Sequence, residues 1–312
     1  LTLGLFWHDA CLAHDPGPGH PDSPNRLAAV RSRLDRDLVG CGRAAWLEAP
    51  PAAEDDLLRV HTPTHLTRLR SLDARGGGWL DPDTSMGPGS LEAALRAAGA
   101  AVSAVERALA GEGPALCTTR PPGHHATPAR AMGFCLLSNA AIAAFAALAR
   151  GAERVLIVDW DVHHGNGTAD AVRHEPAIRY VSLHQWPYYP GTGLEDDTGC
   201  GNLFHVPRRP GLPREEYVGD LLTAVDRALK AFAPSLIVHS AGFDALRGDP
   251  LGGFTLEPTD YIEITRGVAE RVNGGRSGTV VPAISVLEGG YDPPRLAEAA
   301  ALHAAALAGW VS

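Results

Sequence analysis

The chain has 312 residues, of which 45% are hydrophobic, enough for one large buried core; 36 acidic residues against 27 basic ones give a formal net charge of −9. The basic residues are scattered and, apart from Lys230, all are arginine, so no nucleic-acid surface is expected. No membrane span or secretory leader is expected either, because the longest apolar run covers only 140–149 and "LTLGLFWHDA" lacks a basic n-region. Cys11, Cys41, Cys117, Cys135 and Cys200 show no C-x-x-C spacing and read as reduced thiols of a cytoplasmic protein.

In chain order, loops rich in Gly and Pro at 13–24 and 76–89 precede a helix over 91–109 with Ser90 as its cap. Short apolar or β-branched runs predict strands at 115–119, 154–159, 178–184, 235–241 and 283–289. Between and after them, periodicity predicts helices at 139–150, 215–232, 261–272 and 294–307, the last opening on a proline. A third long loop covers 186–201. This alternation argues for an α/β chain with a parallel sheet covered by helices on both faces, organised as a single domain over 1–312.

Polar groups gather after each predicted strand: "RPPGHH" at 120–125, "DWDVHHGNG" at 159–167, "SLHQWPYYPGTG" at 182–193, "SAGFDALRGDPLGG" at 240–253 and "EGGY" at 288–291. Such an edge, the carboxyl ends of parallel strands, is where open α/β sheets bind ligands. In an extended segment, residues two apart share a face, so Asp159, Asp161 and His163 can point the same way. Joined by Asp244 from another strand end, the D-x-H pair makes an open three-ligand zinc site with a position left for water. His124 and His125 are placed to supply a base, and Tyr291, beyond a Gly-Gly pair, a donor for a developing oxyanion. Taken singly, each signal is weak. A strand-end histidine is usually a hydrogen-bonded structural residue, and Glu288 before two glycines reads equally as a turn. Convergence on one edge favours a metal hydrolase.

The segments "HDPGPGHPDSPNRL", "RPPGHHA", "GFC", "DWDVHHGNGT", "PGTG", "SAGFDALRGDPLGG" and "LEGGY" together resemble the zinc-dependent histone deacetylase family, and within it the class II-like group with its bacterial homologues. The resemblance covers essentially the whole chain. It implies a single deacetylase domain of the arginase–deacetylase fold, three layers α/β/α around a central, mostly parallel eight-stranded sheet. It also implies that Asp161, His163 and Asp244 hold a catalytic Zn²⁺, although such O/N ligands accept iron(II) as well. His125 is then the general base and acid, His124 its electrostatic partner and Tyr291 the group polarising the scissile carbonyl. Asp159 and Asn166 orient His124 and His125 from behind; class I members carry Asp where this chain has Asn166. Gly133, Phe134, Tyr188 or Tyr189, His20 and Leu251 line the substrate tunnel. A structural K⁺ is implied at Asp159, Asp161, His163, Ser182 and Leu183.

The implied substrate is an acyl-lysine peptide or protein, or alternatively a small acylated amine such as an acetylpolyamine. Polyamine-selective relatives carry an acidic gatekeeper where Leu251 stands, so leucine weighs toward acyl-lysine. The rim loop 80–90 departs from the family run at 85–87, where the apolar Met86 is expected to reshape the cap region. Whether copies of the chain associate is left open. Rival readings fare worse. A dinuclear manganese ureohydrolase needs a further aspartate where Gly165 stands, and a serine hydrolase needs a glycine where Val238 precedes "HSAG". A binding module without turnover would not need the full His and Tyr set.

Overall fold

The computed structural model describes residues 2–274 and 280–310. Its strands are β1 (Leu3–Trp7), β2 (Ala44–Glu48), β3 (Gly78–Asp81), β4 (Thr84–Met86), β5 (Ala115–Cys117), β6 (Val155–Asp159), β7 (Ile178–Gln185), β8 (Leu203–Arg208), β9 (Leu236–Ala241) and β10 (Ala283–Leu287). The helices are α1 (Ala10–Ala13), α2 (Pro24–Leu34, continued by a wider turn over Asp35–Val39), α3 (Glu54–Leu58), α4 (Pro63–Asp73), α5 (Ser90–Leu109), α6 (Asn139–Ala149), α7 (Asn166–Val172), α8 (Arg214–Leu229), α9 (Asp260–Asn273) and α10 (Pro293–Leu307). No helix among the described residues is long and apolar enough to cross a membrane.

Eight strands form one sheet in the order β2-β1-β5-β10-β9-β6-β7-β8, with every neighbouring pair parallel. The run "VLIVD" of β6 shows why its apolar residues are continuous. Leu156 and Val158 join the core beneath α2, α8, α9 and α10, whereas Val155 and Ile157 join the opposite core beneath α4, α5, α6 and α7. Both faces are covered, so no position is left for a polar residue until the strand ends. From β6 the chain steps outward through β7 and β8, then returns to β9 and β10 on the other side. The neighbours β6 and β9 therefore flank a topological switch, and a crevice opens beyond their carboxyl ends.

All five sequence-predicted strands exist, within a residue or two at their ends. The sequence reading missed β1, β2 and β8 of the main sheet. β2 ("AAWLE") has no β-branched residue and is half exposed, and β8 contains Pro207, tolerated because β8 is an edge strand. The predicted loop 76–89 holds the antiparallel β3–β4 hairpin. Ser90 is not the cap of α5. Gly89 takes that position, and Ser90 Oγ instead accepts from the Gly87 N–H at 2.9 Å and lies 2.7 Å from His14 Nδ1. Helix α8 stops at Leu229, short of the predicted 232, because Lys230 is extended and Ala231 adopts a φ of 54°. Met86 does not shape the rim; it is buried on β4 in the core shared with α5.

Candidate metal centre and active site

The site begins where β6 ends. Trp160 is completely buried in the core under α8–α10, and its carbonyl accepts from Tyr217 Oη at 3.0 Å. Fixing that large ring turns its neighbours Asp159 and Asp161 the opposite way, toward the carboxyl edge.

Asp161, His163 and Asp244 each offer a ligand atom, and these atoms lie within 4.8 Å of one another. Backbone donors fix the carboxylates. Gly289 N–H donates to Asp161 Oδ2 at 2.8 Å, His163 N–H to Asp161 Oδ1 at 3.0 Å and Val162 N–H to Asp244 Oδ1 at 2.8 Å. Asp244 Oδ2 is buried with no hydrogen-bond partner among the described residues; His163 Nδ1 lies 3.3 Å away without hydrogen-bonding geometry. Burial works against every charge here. Even so, Asp161 stays well below the usual carboxylate range beside His124 and His163, while burial and the Asp161 charge push Asp244 up. Two carboxylates and one imidazole, with one carboxylate oxygen left orphaned, fit a divalent cation such as Zn²⁺ or iron(II). Glycine is required around them: a Cβ on Gly289 would stand 2.1 Å from Asp244 Oδ2 and 2.5 Å from Asp161 Oδ2.

His124 and His125 follow β5. Asp159 Oδ2 lies 3.1 Å from His124 Nδ1 and accepts from Tyr180 Oη at 2.9 Å. Burial alone would lower His124, but Asp161 and Asp159 outweigh it and raise the ring well above 6.5, so it is held charged. His125 is the reverse case. Burial, the His124 charge and His163 hold it well below 6.5, and its Nδ1 lies 2.8 Å from Asn166 Oδ1. An amide oxygen can only accept, so His125 carries its proton on Nδ1 and presents Nε2 as an acceptor.

Aromatic walls surround this pair. The Tyr189 ring stands edge-on to His125 with centroids 5.0 Å apart, and Tyr188 stacks on His163 at 5.4 Å. Phe134 packs edge-on against Tyr291 at 5.8 Å and against His20 at 4.4 Å. Phe134 holds a φ of 68°, costly for a side-chain-bearing residue, and the β3–β4 turn clamps it: Asp83 Oδ1 accepts from Gly133 N–H at 3.1 Å and Thr84 Oγ1 from Phe134 N–H at 2.9 Å. Leu251 is joined to Tyr291 through one carboxylate. Asp249 Oδ1 accepts from Leu251 N–H at 2.9 Å and Oδ2 from Tyr291 N–H at 2.6 Å. The register pairs Asp159 with Ser182, so the residues expected around K⁺ (Asp159, Asp161, His163, Ser182, Leu183) also come from adjoining segments.

Residues 20–307 match the histone deacetylase domain. The chain belongs to the histone deacetylase family. It is 40% identical over 314 residues to a histone deacetylase-like amidohydrolase of Pseudomonas aeruginosa, covering 92% of this chain and 81% of that one. It is 35% identical over 300 residues to a probable deacetylase of Archaeoglobus fulgidus, covering 93% and 82%. The crystal structure of the HDA15 HD domain superposes with a TM-score of 0.92 at 33% identity, covering 99% of this chain and 88% of that one. This deacetylase is therefore a hydrolase acting on an acylated substrate, in a metal-dependent family, with the α/β arginase–deacetylase fold.

Several residues of the site escaped the sequence reading. Glu288, read as equally a turn, is buried: Oε2 accepts from the N–H groups of Gly123 and His124 at 2.6 and 3.1 Å, and Oε1 from Ser240 Oγ at 3.2 Å. It thus fixes the loop carrying His124 to the strand end carrying Asp244. Arg26 donates to the carbonyls of Glu288 and Gly290, and its guanidinium lies 4.7 Å from the Tyr291 ring centroid. Asp22 pairs with both Arg26 at 2.6 Å and Arg120 at 2.8 Å, all three side chains being buried. The signal for Glu288 was available, since a charge closing an apolar strand is the feature that drew attention to Asp159.

Proposed function

We propose that this deacetylase hydrolyses the N-acyl amide of lysine side chains in peptides or proteins, with Asp161, His163 and Asp244 holding Zn²⁺. Bound there, the dication would acidify a water molecule and polarise the amide carbonyl. His125 Nε2 takes the proton from that water and returns it to the departing amine, the Nδ1 bond to Asn166 keeping the ring in the required tautomer. The charged His124 ring, its centroid 4.0 Å from that of His125, adds positive charge beside the developing oxyanion and opposes early protonation of its neighbour. Tyr291 donates its hydroxyl to the carbonyl oxygen, its backbone anchored by Asp249 and its ring lying against Arg26.

Gly133, Phe134, Tyr188, Tyr189 and His20 form the walls along which the lysine arm reaches His125, and Leu251 stands at the rim without a charge to pair a distant ammonium. K⁺ beside Asp159, Asp161, His163, Ser182 and Leu183 completes the ion set, and residues 1–312 act as one catalytic domain. The observation that carries this reading is the orphaned Oδ2 of Asp244, facing His163 beside the neutral His125–Asn166 pair. The test compares kcat/KM for an acetyl-lysine peptide and an acetylpolyamine on zinc-loaded enzyme. The peptide is expected to be preferred at least tenfold, and the reverse preference would replace it by a small acylated amine. Activity undiminished by His125→Ala would overturn the mechanism.

A further inference from the structure

Among the described residues, the only hydrogen bond that holds Tyr291 is made by its backbone, so the place of its hydroxyl depends on how that backbone is fixed. The ring has Phe134 at its edge and the Arg26 guanidinium over its face, contacts that leave the main chain free to turn. Two glycines precede it, and Gly290 holds a φ of 117°, a conformation that glycine adopts without cost.

The peptide joining Gly290 to Tyr291 is gripped on both sides. Its carbonyl accepts from Arg26 Nε at 2.5 Å, and its N–H donates to Asp249 Oδ2 at 2.6 Å. In a trans peptide these two groups point in opposite directions. A cation on one side and an anion on the other therefore oppose any rotation of the plane, and such a rotation would swing the Tyr291 side chain.

Asp249 suits this task. It is buried, and its second oxygen, Oδ1, accepts from Leu251 N–H at 2.9 Å, which stops the carboxylate from turning. Its own turn is tied to the core: Asp249 N–H donates to the Leu246 carbonyl at 3.1 Å, and the buried Leu246 bridges to Leu256. Burial opposes the Asp249 charge, whereas the Tyr291 and Leu251 N–H groups and, across the peptide, Arg26 favour it. An asparagine there would bring one acceptor oxygen to two N–H groups.

Resting on the role proposed for Tyr291, we infer that Asp249 is the positioning residue that holds the Tyr291 hydroxyl at the scissile carbonyl, acting through the Gly290–Tyr291 peptide without touching substrate.

The test places 3-fluorotyrosine in the zinc-loaded protein and follows the Tyr291 line by fluorine NMR, assigned by its loss in Tyr291→Phe. That line is expected to be single and sharp in the unmutated protein and broadened or split in Asp249→Asn, with the lines of Tyr180 and Tyr217 unmoved. Asp249→Ser serves where the amide variant does not fold. Kinetics use whichever of an acetyl-lysine peptide and an acetylpolyamine turns over faster. Asp249→Asn is expected to lower kcat at least about tenfold while KM stays within about threefold. In the Tyr291→Phe background the same substitution is expected to lower kcat by less than about threefold, because the hydroxyl that it positions is gone. An unmoved, sharp Tyr291 line in the Asp249 variants, or an equal loss of kcat with and without the hydroxyl, overturns the inference and leaves Tyr291 its role. Undiminished kcat in Tyr291→Phe removes that role and the inference with it.

Discussion

Nδ1 of His125 lies 2.8 Å from the amide oxygen of Asn166, an uncharged partner for an uncharged ring. The contact fixes the tautomer without making the ring more basic. Asn166→Asp would set a carboxylate at the same distance and raise the His125 pKa by about one unit or more. A base must be neutral to act, so activity is lost as pH falls through its pKa. The acid limb of the kcat/KM–pH profile is expected to move to higher pH by that amount, and an unmoved limb shows that His125 is not the group titrating there.

Asp244 keeps its shape but loses its charge in Asp244→Asn. Bound zinc, measured by elemental analysis after dialysis, is expected to fall to background and turnover by more than about 100-fold. Exhaustive chelation of the unmutated enzyme should reproduce the loss, and re-addition of Zn²⁺ should reverse it. Full activity after chelation is incompatible with a metal centre.

Gly289→Ala tests the same centre without altering a proposed ligand. The added methyl would collide with Asp244 Oδ2 and Asp161 Oδ2 and force them apart. Zinc affinity, measured by competition with a chelator, is expected to drop at least about tenfold. Unchanged affinity would mean that the 288–290 segment shifts freely, contrary to its anchoring by Arg26.

Asp22 is the only carboxylate paired with the buried guanidiniums of Arg26 and Arg120 among the described residues. Asp22→Ala leaves two desolvated positive charges facing each other, a change that costs about 3–5 kcal/mol. The urea midpoint should fall accordingly with little change in slope. A loss below about 1 kcal/mol would show that water reaches this triad.

Burial pushes the rings of His14 and His205 down to about 4 and those of His61, His184 and His239 to about 3. Unfolded, each would bind a proton near pH 6.5. Between roughly pH 6.5 and 4 the unfolded chain therefore holds more protons than the folded one, and stability rises with pH. Melting temperatures of chelator-treated protein are expected to fall on acidification from about 6.5, each of these histidines contributing up to about 1.4 kcal/mol per pH unit, and to peak near pH 7, because the raised His124 and His163 lose stability as pH climbs further. A flat profile would show these rings to be hydrated.

The legible part of the site was the part built from neighbours in sequence. Asp159, Asp161 and His163 alternate along one segment, so their common face follows from strand geometry alone. Asp244 and Tyr291 could be added because they, too, close predicted strands. What could not be read depends on contacts across long separations. Arg26 meets the carbonyl of Gly290, 264 residues away, and Arg120 meets Asp22 across 98. No local pattern distinguishes such an arginine from a solvated one. Strands β1 and β2 were missed for a related reason: "LGLFW" and "AAWLE" carry little β-branching, and their extended form is imposed by the neighbours they pair with.

The junction of β6 and β9 has a consequence for how the molecule is assembled. Asp161 and His163 emerge from the ribosome long before Asp244, with β7, β8 and α8 between them. A nascent chain halted short of β9 would hold two of the three proposed ligands. On that ligand set, tight capture of an ion would wait for β9 to dock beside β6, and the ion would rivet two halves of the sheet that the polypeptide itself connects only by a detour.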